Sequence, residues 1–158
     1  GNVLPHMLTF LLCCVLSIFS AHSQCQSGWR EYENKCYFFS TDTKSWLEAN
    51  EFYAEAHCTR EQGDLLSITE PFEQTFIQAL IQQSPTGISM WMGGHDSMTE
   101  GGWEWTDGSP FRFIHWNAGN PDDYYGEDCL SMLINSGYWN DDNCEYKRGY
   151  ICKRRGEK

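Results

Sequence analysis

The sequence predicts a disulfide-linked α+β domain in which two helices precede an antiparallel sheet of short strands. Apolar residues recur at helical spacing only in the first half of the chain, whereas short aromatic and aliphatic runs separated by turn residues fill the second half. Helices that are followed by strands, rather than alternating with them, are typical of this class. The 158 residues are enough for one such domain.

We predict that residues 1–23 are a secretory signal peptide and that residues 24–158 are the folded domain. The apolar run L-T-F-L-L-C-C-V-L-S-I-F-S at residues 8–20 is followed by A-H-S, a small-x-small cleavage pattern. The run is too short to span a bilayer, which disfavours a membrane anchor. Residues 1–7 carry no Lys or Arg, unlike a usual signal. We therefore expect a secreted, extracellular protein without membrane insertion.

The domain is predicted to open with a hairpin, because Gly28 and Asn34 punctuate two short aromatic runs. A first helix is predicted over residues 43–58, where the spacing of apolar residues defines a single face. That face consists of Trp46, Ala49, Tyr53 and Ala56.

A brief strand and a second helix are predicted next. Gly63 is a stop signal, and Leu65, Leu66 and Ile68 form the strand. Thr69 is positioned to cap the second helix. The apolar face of that helix, expected to be core, consists of Phe72, Phe76, Ala79 and Leu80.

Short strands and loops are predicted after the turn P-T-G at residues 85–87. The aromatic runs that indicate them are W-M-G-G at 91–94, W-E-W-T-D-G at 103–108, F-R-F-I-H-W at 111–116 and G-Y-I-C at 149–152. A polar segment at 119–144 lies between the last two runs. The chain has no heptad repeat and no N-glycosylation sequon.

Six cysteines follow the predicted signal peptide, and an even number suits an oxidising compartment. Six cysteines allow 15 connectivities, so counting alone does not fix the pairs. Spacing favours a bond across the hairpin, one across the polar segment, and one between the first helix and the last strand. The corresponding pairs are Cys25 with Cys36, Cys129 with Cys144, and Cys58 with Cys152. No two cysteines have C-x-x-C spacing, so a zinc site is not indicated. If all six pair, any homo-oligomer would be non-covalent.

The formal net charge of −11 disfavours nucleic acid as a partner. Neutralising phosphates requires a basic face, and the only basic cluster is Lys153, Arg154 and Arg155 near the end of the chain. A surplus of acids fits bound cations and fits simple solubility equally well.

The polar segment at 119–144 predicts a calcium site, because seven of its carboxylate and carboxamide side chains converge if the segment doubles back. Calcium takes about six to eight oxygen ligands in tolerant geometry. A disulfide between Cys129 and Cys144 would bring the two ends of the segment together. The alternative is a polar loop whose acids face water. The seven residues are Asn120, Asp122, Asp123, Glu127, Asp128, Asn140 and Asp141.

Several motifs carry a resemblance to a known family. W-M-G-G and W-E-W-T-D-G are joined by N-P-D at 120–122, G-E-D-C at 126–129 and W-N-D at 139–141. Residues 25–152 resemble the carbohydrate-recognition domain of C-type lectins in its long form, and within that family the small secreted fish lectins of the nattectin type. The resemblance implies a C-type lectin-like fold with two helices, antiparallel sheets and a long calcium-binding loop region.

The resemblance also implies specific ligands. A sugar-binding calcium would be held by Asn120, Asp122, Glu127, Asn140 and Asp141, with Pro121 in a cis peptide bond, and two vicinal sugar hydroxyls would complete the shell. Tyr124 would place its ring against the apolar face of the sugar. A second, structural calcium would be held by Asp96, Glu100, Asp123 and Asp128.

The order of amide and acid around Pro121 indicates which sugar is bound. An amide donates N–H groups whereas a carboxylate only accepts, so this order sets the hydrogen-bond polarity that the sugar meets. In the family, E-P-N accompanies mannose-type sugars and Q-P-D accompanies galactose-type sugars. N-P-D retains the galactose order with a shorter first side chain. We therefore expect a galactose-type lectin of innate defence, venom or mucus, with mannose-type specificity as the alternative.

Two other function classes compete with a lectin that binds cell-surface glycans or glycoproteins. The same scaffold could bind a protein or an ice surface without sugar. A glycosidase would need one protonated carboxyl in an apolar pocket opposite a second carboxylate. Here the acids crowd together with amides, which suits a cation better. No Ser-His-Asp or Cys-His arrangement is evident, so no catalytic residue is assigned and no enzyme is expected.

Overall fold

The computed structural model describes residues 25–51 and 57–156. The predicted signal peptide lies outside these ranges, as do Tyr53 and Ala56 of the predicted first helix. The helices within them are α1 (Trp46–Asn50), α2 (His57–Arg60) and α3 (Pro71–Ile81). The strands are β1 (Arg30–Tyr32), β2 (Lys35–Phe39), β3 (Asp64–Leu65), β4 (Ser89–His95), β5 (Glu104–Trp105), β6 (Cys129–Leu133), β7 (Trp139–Asp142) and β8 (Gly149–Arg155).

The strands form a mixed sheet, whereas the sequence led us to expect an antiparallel one. Their order is β1-β2-β8-β4-β6-β7, with β3 beside β8 and β5 beside β4. The β4–β8 pair is parallel and joins Met90 to Gly149 and Trp91 to Tyr150. A parallel pair requires a long crossover connection. Here that connection contains β5, β6 and β7, and therefore the whole polar segment.

The predicted N-terminal hairpin is confirmed. Strands β1 and β2 pair with Tyr32 opposite Lys35, leaving a two-residue loop. Its residues, Glu33 and Asn34, both have positive φ, at 51° and 60°. Positive φ at both central residues is typical of the type I′ turns that match the twist of a hairpin.

The first helical region is shorter than predicted. Helix α1 begins at Trp46 because Ser45 caps it in a capping box with Glu48, and the chain turns extended at Glu51. Trp46 and Ala49 are buried, as the apolar face predicts. The prediction of a continuous helix over residues 43–58 is wrong at residues 43–45 and at Glu51, whereas residues 57–58 do lie in a helix, α2.

We expected Thr69 to cap the second helix, but helix α3 is capped by Glu70. Pro71 occupies the first turn, and a residue before proline is driven into the extended region, which is what a cap requires. The Glu70 carboxylate accepts hydrogen bonds from the backbone N–H groups of Phe72 and Glu73. None of the helices in the described ranges is long and apolar enough to cross a bilayer.

The predicted apolar face of α3 is wrong by about one position. Phe72 is 73% exposed, and Ala79 is also exposed. The residues that α3 buries are Glu73, Gln74, Ile77 and Ile81. Two buried polar side chains explain the error, since a pattern of apolar residues cannot register them.

Each of these polar side chains has buried partners. The Glu73 carboxylate accepts a hydrogen bond of 2.7 Å from the Tyr37 hydroxyl and pairs with the Lys153 ammonium. The Gln74 amide accepts from Trp139 Nε1 at 2.9 Å and donates to the Gly137 carbonyl at 2.7 Å. Burying polar groups is tolerated because they are hydrogen-bonded.

The F-R-F-I-H-W run at 111–116 is not a strand, contrary to the prediction. Its ladder contact is a single parallel bridge between Trp116 and Trp139. The rings of Phe111 and Phe113 instead pack edge-on against Trp139, with centroids 6.1 and 5.8 Å away. These aromatic contacts hold the segment against the core, although its backbone does not pair as a regular strand.

Three disulfides link the described residues, in the pairs that spacing favours: Cys25–Cys36, Cys58–Cys152 and Cys129–Cys144. The first closes the hairpin and the second joins α2 to β8. The third joins the start of β6 to the chain just beyond β7. The two strands β6 and β7, which lie within the polar segment, are therefore covalently tied.

We predict that Lys153→Met destabilises the domain by about 3–5 kcal/mol, because it leaves the Glu73 carboxylate buried without its cation. The double variant Lys153→Met with Glu73→Gln should regain most of that loss. Urea unfolding at pH 7 measures both.

The control is Lys147→Met, which removes the exposed ion pair with Glu48 and should change the urea midpoint far less than Lys153→Met does. Equal losses for the two lysines would contradict the role assigned to the buried pair.

Candidate functional site

Two groups of acidic side chains lie side by side at the end of the sheet. The primary acidic group is Asp122, Glu127 and Asp141, and the secondary acidic group is Asp96, Glu100 and Asp128. In each group, one carboxylate oxygen per residue lies within 4.8 Å of the others. The first group contains the three acids expected around a sugar-binding calcium, and the second contains three of the four expected around a structural one.

The primary acidic group is built on β7 and the loop that crosses it. Asp141 is fully buried on β7, and its Oδ2 accepts hydrogen bonds from the backbone N–H groups of Asp122 at 2.9 Å and Asp123 at 2.7 Å. The loop begins at a cis peptide bond before Pro121, as the resemblance implies. It turns at Gly126, where φ is 71° and the N–H donates to the Asp123 carbonyl at 3.3 Å.

The secondary acidic group is centred on Asp96, which directly follows β4. Its backbone N–H donates to the Asp128 carbonyl at 3.1 Å, and its Oδ2 accepts from the Gly101 N–H at 3.0 Å. Asp96 is buried whereas Glu100 is exposed. The Gly101 contact folds the loop after Asp96 back on itself, which brings Glu100 to the group.

Neighbouring residues of the loop serve different groups. Asp122 belongs to the primary group while Asp123 lies near the secondary one, where its charge helps to raise the pKa of Glu100 and Asp128. In the same way Glu127 and Asp128 belong to different groups. The two groups therefore share one loop.

Burial and repulsion from neighbouring acids raise the pKa of Glu127, Asp141 and Asp128. Burial, and then the charges of Asp141 and Asp122, raise the pKa of Glu127 to about 7. Burial raises the pKa of Asp141, although backbone hydrogen bonds oppose the shift. Burial, followed by the charge of Asp96, raises the pKa of Asp128 in the same direction. Like charges that share a site produce such shifts when no cation balances them.

The chemistry of both groups fits a hard divalent cation. Within residues 25–51 and 57–156, no Lys or Arg forms an ion pair with either group. Asp96 Oδ1 and Asp141 Oδ1 are buried and accept no hydrogen bond. Such oxygens are costly to bury unless something pairs with them. An all-oxygen set of carboxylates suits calcium better than zinc or copper, which favour nitrogen and sulfur ligands.

The remaining predicted residues flank the primary acidic group. Asn140 precedes Asp141 on β7, and Asn120 precedes the cis bond, with its N–H donating to the Asn117 carbonyl. Tyr124 is 62% exposed on the shared loop. The sequence reading missed its partner Tyr125, which is 84% exposed and packs edge-on against it at 4.3 Å.

Two further features could not be read from residue types. The backbone clamp on Asp141 uses N–H groups that every residue carries, so only the fold reveals it. The stacked pair of His115 and Tyr138 joins two segments that are distant in sequence, with ring centroids 4.2 Å apart. The missing information was the backbone contact between these segments, in which the Trp139 N–H donates to the His115 carbonyl.

Comparison with known proteins identifies close relatives over nearly the whole chain. Residues 42–154 match the family model described as the Lectin C-type domain. The chain is 35% identical to the galactose-specific lectin nattectin of Thalassophryne nattereri, over 95% of this chain and 96% of that protein.

Two solved structures share the fold. The mouse scavenger receptor C-type lectin carbohydrate-recognition domain superposes with a TM-score of 0.75 at 33% identity, covering 85% of this chain and 98% of that one. A calcium-independent type II antifreeze protein superposes with a TM-score of 0.72 at 27% identity, covering 84% and 95%. The fold therefore occurs both in a carbohydrate-recognition domain and in a protein of a different function.

We predict that the stability of the chelator-treated domain responds to pH through Glu127. Its folded-state pKa of about 7 lies above its ordinary value of 4.5, so the folded state binds the proton more tightly. The unfavourable contribution of Glu127 to stability therefore grows as pH rises from about 4.5 to 7. Glu127→Gln removes this unfavourable contribution. The Tm of the variant minus that of the wild type should therefore increase by about 2–4 °C between pH 5 and pH 8.

Thermal unfolding in excess EDTA measures this difference, with Glu145→Gln as an exposed control outside both groups. A Tm difference between Glu127→Gln and wild type that is independent of pH would contradict the repulsion described here.

Proposed function

This chain belongs to the C-type lectin family, and on that premise we propose that it is a secreted, calcium-dependent lectin that binds galactose-type glycans. The family is one of non-enzymatic proteins, many of which bind carbohydrate. The observation that carries the proposal is the primary acidic group, whose crowded carboxylates have no balancing cation among the described residues. It lies where the N-P-D and W-N-D motifs meet.

Five residues would hold the calcium of the sugar site. Bound calcium supplies open coordination positions for the lone pairs of two vicinal sugar hydroxyls. The chain's own contribution is to fix the acceptors and donors around those hydroxyls, with Asp141 already clamped by two backbone N–H groups. Those residues are Asn120, Asp122, Glu127, Asn140 and Asp141.

A second calcium would be held by the secondary acidic group together with Asp123. Its role would be structural, because Asp96 and Asp128 are joined to each other through backbone as well as charge. Neutralising this group would relieve repulsion within the shared loop and so order the sugar site. This assignment is supported by the buried Asp96 Oδ1, which accepts no hydrogen bond.

Galactose-type specificity is supported by three features. Asn120 and Asp122 keep the order of amide first and acid second, which sets the direction of the hydrogen bonds to the sugar. Nattectin, which is 35% identical, is described as galactose-specific. Tyr124 is exposed on the same loop and would offer its ring to the apolar face of the sugar.

The biological setting follows from the same proposal. Residues 1–23 would be removed as a signal peptide, leaving residues 24–158 as an extracellular lectin domain of defence, venom or mucus. Its partners would be glycans or glycoproteins on cell surfaces. With three disulfides using six cysteines, copies would associate non-covalently, and association would add avidity to individually weak sites.

A second candidate function is calcium-independent binding of ice or of a protein surface. It is favoured by the structural similarity to a calcium-independent type II antifreeze protein. The two candidates differ in their response to chelator. Binding to a target that survives EDTA, and that free galactose does not displace, would favour the second.

We predict that Asn140→Ala abolishes calcium-dependent retention on galactose resin while Tm in EDTA stays within about 2–4 °C of the wild type. The carboxamide would be lost from both the calcium and the sugar, whereas the half-buried side chain contributes little to the core. Glu127→Gln should likewise abolish retention, since it replaces a charged ligand with a neutral one of the same shape.

Glu145→Gln is the matched control, and its retention on galactose resin should equal that of the wild type. Undiminished retention of Asn140→Ala would contradict the assignment of the sugar site.

We also predict that Asn120→Glu combined with Asp122→Asn shifts preference from galactose toward mannose. The double change reverses the order of acid and amide around Pro121 and therefore the hydrogen-bond polarity. Competition by the two free sugars on a glycan array measures the shift. An unchanged ratio of the two inhibition constants would contradict the polarity argument.

A further inference from the structure

A cavity of about 540 Å³ lies beside β2, β3 and β8, and no residue of either acidic group lines it. Its walls include the basic cluster near the end of the chain, which the proposed calcium sites do not use. Small-molecule sites typically have volumes of about 300–1,000 Å³. The charged residues that line the cavity are Lys35, Asp64, Asp107, Lys153, Arg154 and Arg155.

The strand register arranges four of these side chains in two rows. Lys153 lies opposite both Tyr37 of β2 and Asp64 of β3, and Arg155 lies opposite Lys35. Residues directly opposite each other in an antiparallel pair point to the same face, and so do residues two apart on one strand. The rows are therefore on one face, about 7 Å apart along β8. The first row holds Asp64 and Lys153, and the second holds Lys35 and Arg155.

Two of the cations already have partners within the chain. The Lys153 ammonium pairs with the buried Glu73 carboxylate and donates to the Ser67 carbonyl at 2.9 Å. The Arg154 guanidinium lies 5.3 Å from the centroid of the Trp29 ring. Alternation along β8 directs it to the opposite face from the two rows. The cations that remain for a ligand are those of the second row.

The other charges of the cavity are separated by sign. Among residues 25–51 and 57–156, four of them form no ion pair, namely Lys35, Arg155, Asp64 and Asp107. Asp107 lies near the first row, because the Ser67 hydroxyl donates to its carboxylate and accepts from the Lys153 ammonium at 3.1 Å. Burial, and then the charge of Asp107, raises the pKa of Asp64, so the two carboxylates are close enough to repel each other. The cavity therefore has a carboxylate end and a cationic end.

We propose that this cavity binds a small zwitterion, whose ammonium meets the two aspartates and whose carboxylate meets Lys35 and Arg155. The guanidinium can hold a carboxylate through two parallel hydrogen bonds, and the ammonium relieves the repulsion between the aspartates. Two residues of extended peptide span about 7 Å, which equals the separation of the rows. A dipeptide with free termini therefore has the right length, whereas a single α-amino acid is too short to reach both ends.

Calorimetric titration with the dipeptide alanylalanine tests the proposal, with two blocked forms for comparison. The wild type should bind the free dipeptide with a Kd on the order of 1 mM, as suits so small a ligand. N-acetyl-alanylalanine lacks the ammonium and alanylalanine amide lacks the carboxylate. Each should bind at least about tenfold more weakly, because each loses hydrogen bonds to charged groups. Affinity should be equal in calcium and in EDTA, since the cavity shares no residue with either acidic group.

Two variants assign the ends of the ligand. Lys35→Gln should bind alanylalanine more weakly and lose its preference for the free dipeptide over the amide. Asp64→Asn should lose its preference for the free dipeptide over the acetylated form. Lys147→Gln and Glu145→Gln make the same changes of charge at exposed positions outside the cavity, and both should bind as the wild type does. Thermal unfolding verifies that each variant is folded.

Three results would overturn the proposal. One is the absence of binding heat for the wild type at millimolar dipeptide. Another is equal affinity for the free and blocked dipeptides, and equal affinity for the free and acetylated forms alone would reduce the cavity to a simple anion site. The third is an equal loss in the cavity variants and their controls, which would indicate an effect of overall charge. None of these results bears on the lectin function, which retention on galactose resin tests separately.

Discussion

The site depends on the hydrogen bonds between the buried Asp141 carboxylate and the backbone of the loop that crosses it. The N–H groups of Asp122 and Asp123 both donate to Asp141 Oδ2, which fixes the loop over β7. The loop then places Glu127 against Asp122 and Asp141, although the three carboxylates repel one another. The Cys129–Cys144 disulfide keeps the two strands on either side from separating under that repulsion. The three carboxylates, which would otherwise move apart into water, are thus preorganised for a cation.

The core reaches this site through Trp139. Its indole is fully buried and donates to the Gln74 amide of α3, while its backbone pairs with the segment that contains Trp116. Asn140 and Asp141 follow it directly on β7. Trp139 therefore connects helix α3 and the aromatic segment around Trp116 to the site. The same residue anchors the strand that supports the polar, exposed loop.

The sequence predicted the features that depend on residue type and failed where contacts distant in sequence decide. The hairpin turn at Asn34 and the pairing of the cysteines followed from turn residues and spacing, and the two acidic groups followed from the family resemblance. The buried face of α3 did not, because Glu73 and Gln74 are core residues only through partners on other elements. The parallel β4–β8 pair and the isolated bridge at Trp116 likewise reflect crossover topology, which local periodicity does not encode. The raised pKa of Glu127 arises from three-dimensional crowding and suits a metal site as well as it would suit an acid catalyst.

Calcium titration of the chelator-stripped domain tests the central claim most directly. Calorimetry at pH 7.5 over calcium concentrations of about 10⁻⁵ to 10⁻² M covers the affinities of extracellular calcium modules. The account predicts saturable binding heat, proton release from acids whose pKa is raised, and a Tm that increases with calcium concentration. Absence of both heat and a Tm shift would contradict the claim that these carboxylates are arranged to hold calcium.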